Sequence, residues 1–378
     1  MKDLTLQLID QVCQAYQQRT PLMIQGNNSK AFAGRTPHKN KAKDNVSTLS
    51  TAAHTGIISY QPVELVMTAR AGTTLAELRA ALDEHQQILA FEAPDFDGQA
   101  TIAGTLATNL SGPARPWTGS VRDMVLGTRL INGTGEYLRF GGQVMKNVAG
   151  YDVSRMQAGA LGTLGVITEI SFKVLPRPEY STGLTLELPA SEAIVLMNQL
   201  AGQANPITGA CWYRDQLHIR LSGAARAVDK TVTSWSQKYG FQQATQDNFW
   251  QQLQHQQLPV FTETGALWRF SVNSTADDLA PAVHQTGIEV SDSLIDWCGS
   301  QRWLRTPETL AEQQNTQLQS LQRLAENARG SVTLWQGGDR SQEINQTLNP
   351  VLERLHKNVK QAMDPAGILN PGRLYSWM

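Results

Sequence analysis

Lys146-Asn-Val-Ala-Gly-Tyr-Asp-Val-Ser-Arg-Met-Gln-Ala-Gly-Ala-Leu-Gly-Thr-Leu-Gly-Val-Ile-Thr-Glu-Ile170 closes a stretch, Gly98 to Gly165, that holds 13 of the chain's 30 glycines. Thr, Ser and Asn separate those glycines, and charges are few. Such density has a physical reading. The backbone passes close to something bulky and offers N–H groups where a side chain would clash. A large, flat, partly anionic ligand such as a nucleotide cofactor fits that description. A run of strand turns in an all-β domain would show the same density.

Outward from this stretch, composition sets bounds. The 378 residues suffice for two domains without staples. A hydrophobic share of 41%, a charged share of 17% and a mean hydropathy of -0.32 describe an ordinary globular protein. The formal net charge of -1 and a pI near 6.7 argue against nucleic acid as a partner, since a phosphate backbone demands a basic field. No apolar run approaches the roughly 20 residues that span a bilayer. The amino terminus mixes acids and Gln with its apolar residues and is not read as a signal peptide. Cys13, Cys211 and Cys298 lie far apart, which excludes an iron–sulfur cluster held by four cysteines of this chain and fits a reduced, cytoplasmic protein. The seven histidines stand singly, without metal-ligand spacing, so no metal is expected.

Periodicity predicts a helix over 4–18 and a short strand, Leu22-Met23-Ile24, that opens onto Gln25-Gly26-Asn27-Asn28-Ser29-Lys30. Converging N–H groups make such a turn an anion-binding nest, although a tight turn that binds nothing reads the same way. Residues 36–54 read as a loop. Strands are expected at Ile57–Tyr60 and Leu65–Ala69. A helix follows from Leu75 to Leu82, with Thr74 and Glu77 as a capping box. Thr101 to Leu110 reads as a tightly packed helix or turn. Val125–Ile131 and Tyr137–Phe140 form a hairpin around Asn132–Gly135, and Gly165–Val174 is one more strand. Beyond Leu175-Pro-Arg-Pro178, strand-like runs (184–188, 217–221, 267–272, 332–335) alternate with helical ones (190–202, 225–239, 310–328), an α+β module with an antiparallel sheet. The eight glutamines within 241–257 read as a solvated helix face, and no internal repeat stands out.

Spacing tests remove the common nucleotide folds. Gly159, Gly162 and Gly165 give Gly-x-x-Gly-x-x-Gly, not a Rossmann turn, and neither a P-loop nor a Gly-x-Ser-x-Gly elbow occurs.

Several segments, in order, resemble the flavoproteins with an FAD-binding domain of vanillyl-alcohol oxidase (PCMH) type. They are Ile24 to Lys30, Gly72-Thr73, Pro94, Thr101-Ile-Ala-Gly104, Gly112, Gly119-Ser-Val-Arg-Asp123, Gly150-Tyr-Asp152, Gly162-Thr-Leu-Gly-Val-Ile-Thr168 and Asp364-Pro-Ala-Gly-Ile-Leu-Asn-Pro-Gly372. Within that group, Gly112 to Gly127, Arg139 to Asp152 and Asp296-Trp-Cys-Gly-Ser-Gln-Arg-Trp303 are similar to the FAD-binding E-subunit family of bacterial glycolate oxidases. The resemblance implies an α+β chain with three parts: a two-subdomain PCMH-type FAD-binding domain over 1–176, a smaller antiparallel α+β cap over 177–345, and a segment over 346–378 that returns to the FAD site. It implies noncovalent FAD, because Asn27 and Asn28 stand where tethering members carry His. Gln25 replaces the usual loop Arg, and Lys30 could supply that charge or be solvated.

By the same resemblance, Gly26, Asn27, Asn28, Ser29 and Lys30 face the pyrophosphate. Thr101, Ala103 and Gly104 line the path of the ribityl chain and ring, near Pro94, with Asn109, Ser111 and Gly112 behind them. Ser120 and Asp123 fix the loop over the adenine-side phosphates. Gly162, Gly165, Val166 and Ile167 meet the cofactor through backbone groups, and Asn370 reaches the ring or caps a turn. Arg269 and Arg302 are the candidate anchors for a substrate carboxylate, or structural ion-pair partners. The implied activity is oxidation of glycolate or a similar 2-hydroxy acid, with a second flavoprotein subunit and an iron–sulfur subunit as partners. The implied place is the cytoplasm, peripheral to the inner membrane through those partners. A non-catalytic electron-relay role beside a catalytic flavoprotein is the alternative.

Overall fold

The computed structural model describes residues 2–36, 46–142, 152–244 and 248–378. Contacts divide the chain into two compact units. The first comprises 1–110, 119–176 and 347–378; the second comprises 111–118 and 177–346.

The first unit is built around a five-stranded antiparallel sheet in the order Ile57–Gln61, Val66–Arg70, Val166–Lys173, Val125–Ile131, Tyr137–Gly141. A separate parallel pair joins Leu22–Gln25 to Ser47–Ser50. That second strand lies inside the stretch read as a loop. Its polar sequence, Ser-Thr-Leu-Ser, carries little strand signal, and its pairing is with residues 25 positions upstream. The helix Thr5–Gln18 buries Leu8, Val12 and Ala15 beside Leu22, Leu49 and Ile131. Each Leu, Val or Ile among them contributes about 1.5–3 kcal/mol when fully buried. Thr74 and Glu77 form both bonds of the capping box on the helix Leu75–Asp83.

The second unit carries an eight-stranded antiparallel sheet in the order 242–244, 180–187, 216–223, 207–213, 292–296, 301–306, 266–271, 331–336. Chain order shows a repeat that the sequence does not. Strand–helix–strand–strand–helix–strand runs once from Tyr180 to Ala244 and again from Ala266 to Gln336. Each copy has the spatial order 4-1-3-2 of a ferredoxin-like unit, and the copies join through their second strands, Ile207–Tyr213 and Asp292–Asp296. Helices Ala190–Ala201 and Ala225–Tyr239 cover the first copy, burying Ile194, Met197, Val228 and Trp235 against Ile219 and Leu221. Helices Leu279–Gln285 and Ala311–Asn327 cover the second, with Leu318 and Leu321 against Trp268, Phe270 and Leu304. The glutamine-rich segment contributes a short strand, Gln242–Ala244, and a helix, Phe249–Gln254. Phe249, Trp250 and Leu253 are buried there, so it is more than a solvated face.

Candidate flavin site

In the first unit the strand Leu22–Gln25 delivers the chain into the turn Gly26–Lys30, where Asn28 takes a left-handed conformation (φ 60°). None of the five N–H groups from Gly26 to Lys30 has a partner among the described residues. They edge a cavity of about 120 Å³, which Thr101, Ala103, Gly104, Thr108, Leu161, Gly162, Gly165, Ile167, Asn370 and Arg373 also line. Among the described lining residues, Lys30 and Arg373 are the only charged ones.

Lys30 is 8% exposed. Its ammonium makes one long bond, 3.4 Å to Ser29 Oγ, and lies 5.5 Å from the ring centroid of Phe96. Burial pulls its pKa down to about 8 against the opposing pull of Asp95. A buried ammonium has three donors, and this one lacks acceptors for most of them, so the site fits an anionic group. Arg373 donates to the carbonyls of Arg35 (2.5 Å) and Ala31, which fixes its guanidinium beside the same turn. Burial lowers its pKa as well.

Thr101 caps the helix Ile102–Thr108 by accepting the N–H of Gly104 (3.2 Å). A Cβ at Gly104 would stand 3.1 Å from Thr101 Oγ1 and 3.7 Å from Lys30 Nζ, so this glycine keeps the cavity wall low beside the cation. Gly162 adopts φ +73°, and a Cβ there would come within 2.7 Å of Asn370 Nδ2. Asn370 itself is a strut. Its Oδ1 accepts the N–H of Ile24 (2.7 Å), and its Nδ2 donates to the Leu161 carbonyl (2.6 Å). Both ends are committed to backbone, so its side chain ties the two cavity-lining segments together.

Other expected positions fall elsewhere. Val166 is fully buried in the core and Pro94 is buried; neither lines the cavity. Asn109 ends its helix in a left-handed C-cap, with a buried Oδ1 that has no partner among the described residues. Ser120 and Asp123 face each other: the Ser120 N–H and hydroxyl both donate to Asp123 Oδ2 (2.9 and 2.7 Å), a capping box on Val121–Met124. Ser111 and Gly112 fold with the second unit, where the Gly112 carbonyl accepts Trp297 Nε1 (3.0 Å). Gly150-Tyr151 lies outside the described residues, and Asp152 caps Val153–Met156.

The two arginines separate in the second unit. Arg269 is directly opposite Trp303, and Arg302 is opposite Phe270, so they project from opposite faces of one sheet. Arg302 is 1% exposed and donates to the carbonyls of Gly299 (2.6 Å) and Ala276 (2.9 Å). It clamps backbone and does not anchor a solute. Burial holds its pKa down at about 10.

Similarity to known proteins follows this geometry. Residues 5–141 match a family model described as FAD binding domain, and 313–374 match one described as FAD linked oxidases, C-terminal domain. Over 374 residues, 99% of this chain and 98% of its relative, it is 44% identical to glycolate oxidase subunit GlcE of Escherichia coli strain K12. The chain belongs to the GlcE family of glycolate oxidase subunits. As such it is an FAD-linked oxidoreductase, with FAD as its cofactor. A second relative, mitochondrial D-2-hydroxyglutarate dehydrogenase of Rattus norvegicus, is 31% identical over 55% of this chain and 38% of its own length. The solved structure of p-cresol methylhydroxylase with substrate bound superposes with a TM-score of 0.74, covering 98% of this chain and 88% of that one at 16% identity, which shows the shared fold. Among the described residues no helix is long and apolar enough to cross a membrane, and no cluster of His, Cys, Asp and Glu could hold a metal.

Several lining residues escaped the sequence reading, among them Ala31, Thr51, Ala107 and Leu161. Arg373 and Thr108 escaped it too, although Arg373 directly follows Asp364–Gly372 and Thr108 stands four residues after Thr101–Gly104.

Proposed function

We propose that this GlcE-family chain seats FAD noncovalently in the cavity of its first unit and serves in the oxidation of glycolate or a similar 2-hydroxy acid. The observation that carries the reading is a row of five N–H groups, unpartnered among the described residues, beside the buried Lys30 and the half-buried Arg373, in a cavity without an acidic lining residue among those described. In this reading the N–H groups of Gly26 to Ser29 and the ammonium of Lys30 hold the diphosphate, and the low wall at Gly104 lets the cofactor pass. The absence of His and Cys from the described lining supports a noncovalent seat. Bound FAD would supply the hydride-accepting ring.

The chain also needs a route for electrons to leave. Its three cysteines are free thiols, too few to ligate a cluster by themselves, which supports transfer to a partner that carries an iron–sulfur centre. A second reading, electron relay beside a catalytic flavoprotein subunit, draws on a specific observation. Among the described residues that line the cavity, none is a His, Asp or Glu placed to take the hydroxyl proton.

Anaerobic mixing of glycolate with the purified single chain, followed by flavin absorbance, separates the two readings. Autonomous catalysis predicts rapid bleaching of the flavin by glycolate alone. No reduction by the single chain, with reduction in the assembled complex, would instead establish the relay role.

A further inference from the structure

Arg269 stands on the strand Ala266–Ser271, on the sheet face opposite Trp268, Phe270 and the helices that cover them. Its guanidinium carbon lies 5.4, 5.6 and 5.5 Å from the ring centroids of Trp297, Trp303 and Trp335. Rings offset part of a cation's desolvation, but they satisfy few of its five N–H donors. Among the described residues, no N–H of Arg269 donates to a protein acceptor, and its Nε is buried.

The buried arginines of the neighbouring strand behave differently. Arg302 holds two backbone carbonyls, and Arg305 holds those of Val260 and Gly265 together with Gln336 Oε1. Arg269 is therefore not a structural clamp of that kind.

Its electrical surroundings include a second cation. The other cation on Trp297 is Arg115, 4.3 Å from the same ring centroid. Arg115 and burial both press on the charge of Arg269, while Asp296 opposes them. Asp296 is itself buried, and its Oδ1 accepts the N–H of Trp297 (2.7 Å). A second cation therefore lies close to Arg269 among the indoles. Arg269 nonetheless stays partly exposed, so a solute can reach it. A guanidinium with free N–H edges matches a carboxylate well, because two parallel bonds can form, as they can with phosphate.

We propose that Arg269, framed by Trp297, Trp303 and Trp335, is the anchor for the carboxylate of the 2-hydroxy acid, with Arg115 strengthening the positive potential. The assignment rests on the proposed oxidation of a 2-hydroxy acid, and its test reads separately from FAD binding. Oxalate, a two-carbon carboxylate with no C–H bond to oxidise, is titrated into the FAD-loaded full chain while tryptophan fluorescence is followed. The wild type gives a saturable change. Arg269→Met weakens binding roughly 10- to 100-fold, the usual cost of losing a hydrogen bond to a charged group, while FAD content stays at the wild-type value. Arg269→Lys, which keeps the charge and loses the fork, falls between the two. Exposed Arg214 provides the control, and Arg214→Gln leaves binding unchanged. No saturable change in the wild type, or equal oxalate affinity in Arg269→Met and wild type, overturns the assignment even where FAD is fully retained. Equal affinity for phosphate and oxalate at one ionic strength overturns the carboxylate class. Should Arg269→Met fail to fold, Arg269→Lys decides: wild-type affinity in that variant rejects the fork.

Discussion

Lys30 concentrates the electrostatics of the flavin cavity in one ammonium. An unfolded lysine titrates near 10.5, whereas Lys30 in the folded chain titrates at about 8 because burial removes its hydration. Between those values the unfolded chain binds a proton that the folded, FAD-free chain lacks, so the stability of the FAD-free protein rises with pH across that window. Binding of a diphosphate restores the charge and takes up a proton. FAD affinity is therefore expected to hold steady below about pH 8 and to weaken as pH rises above it. Lys30→Met should cost about 1.5–3 kcal/mol of binding at pH 7, roughly 10- to 100-fold in Kd, and should flatten that pH dependence. Fluorimetric FAD titration of both proteins from pH 6.5 to 10 checks this. A Lys30→Met variant with wild-type affinity and the same pH profile would remove Lys30 from the site.

At the scale of elements, the carboxy-terminal segment is stapled to the flavin-side loop by a buried pair. Lys360 Nζ donates to Asp364 Oδ2 (2.7 Å) and to the carbonyls of Thr163 (2.9 Å) and Leu369 (2.8 Å), using all three of its donors. Asp364 in turn accepts the N–H groups of Ile368 and Leu369. Lys360→Met would leave a buried carboxylate without its cation, a loss of about 3–5 kcal/mol. Urea unfolding is the measurement, and a loss below about 1 kcal/mol would show the staple to be incidental. Such long-range pairs explain what the sequence could and could not reveal. The Thr74–Glu77 capping box was legible because donor and acceptor lie three residues apart. The strand Ser47–Ser50 was not, since only its partner Leu22–Gln25 makes it a strand. The strands Ile207–Tyr213, Asp292–Asp296 and Gln301–Thr306 went unread for a similar reason, as each is central in its sheet and buried on both faces. Central strands lose the polar alternation that marks a strand in sequence.

At the scale of the whole molecule, the glycine-dense stretch and the Gly26 turn left a trace in composition that fits a nucleotide seat or ordinary turns alike, and the family resemblance named the flavin. The side chains that finish the seat left less of one. Asn370 stands in a quoted motif, yet its part as a strut between Leu161 and Ile24 depends on partners 209 and 346 positions upstream. Arg302 looked like an anchor in sequence and proves to be a clamp, because sheet register, not spacing, decides which face an arginine serves. The central claim is that one FAD sits, without a covalent bond, against Gly26–Lys30 and Gly104. The most direct measurement is the flavin content of the purified chain, read before and after denaturation and filtration. The account predicts one FAD per wild-type chain, all of it released into the filtrate, and a soluble Gly104→Val protein that carries none. Flavin that stays with the denatured chain, or full FAD occupancy in Gly104→Val, would contradict it.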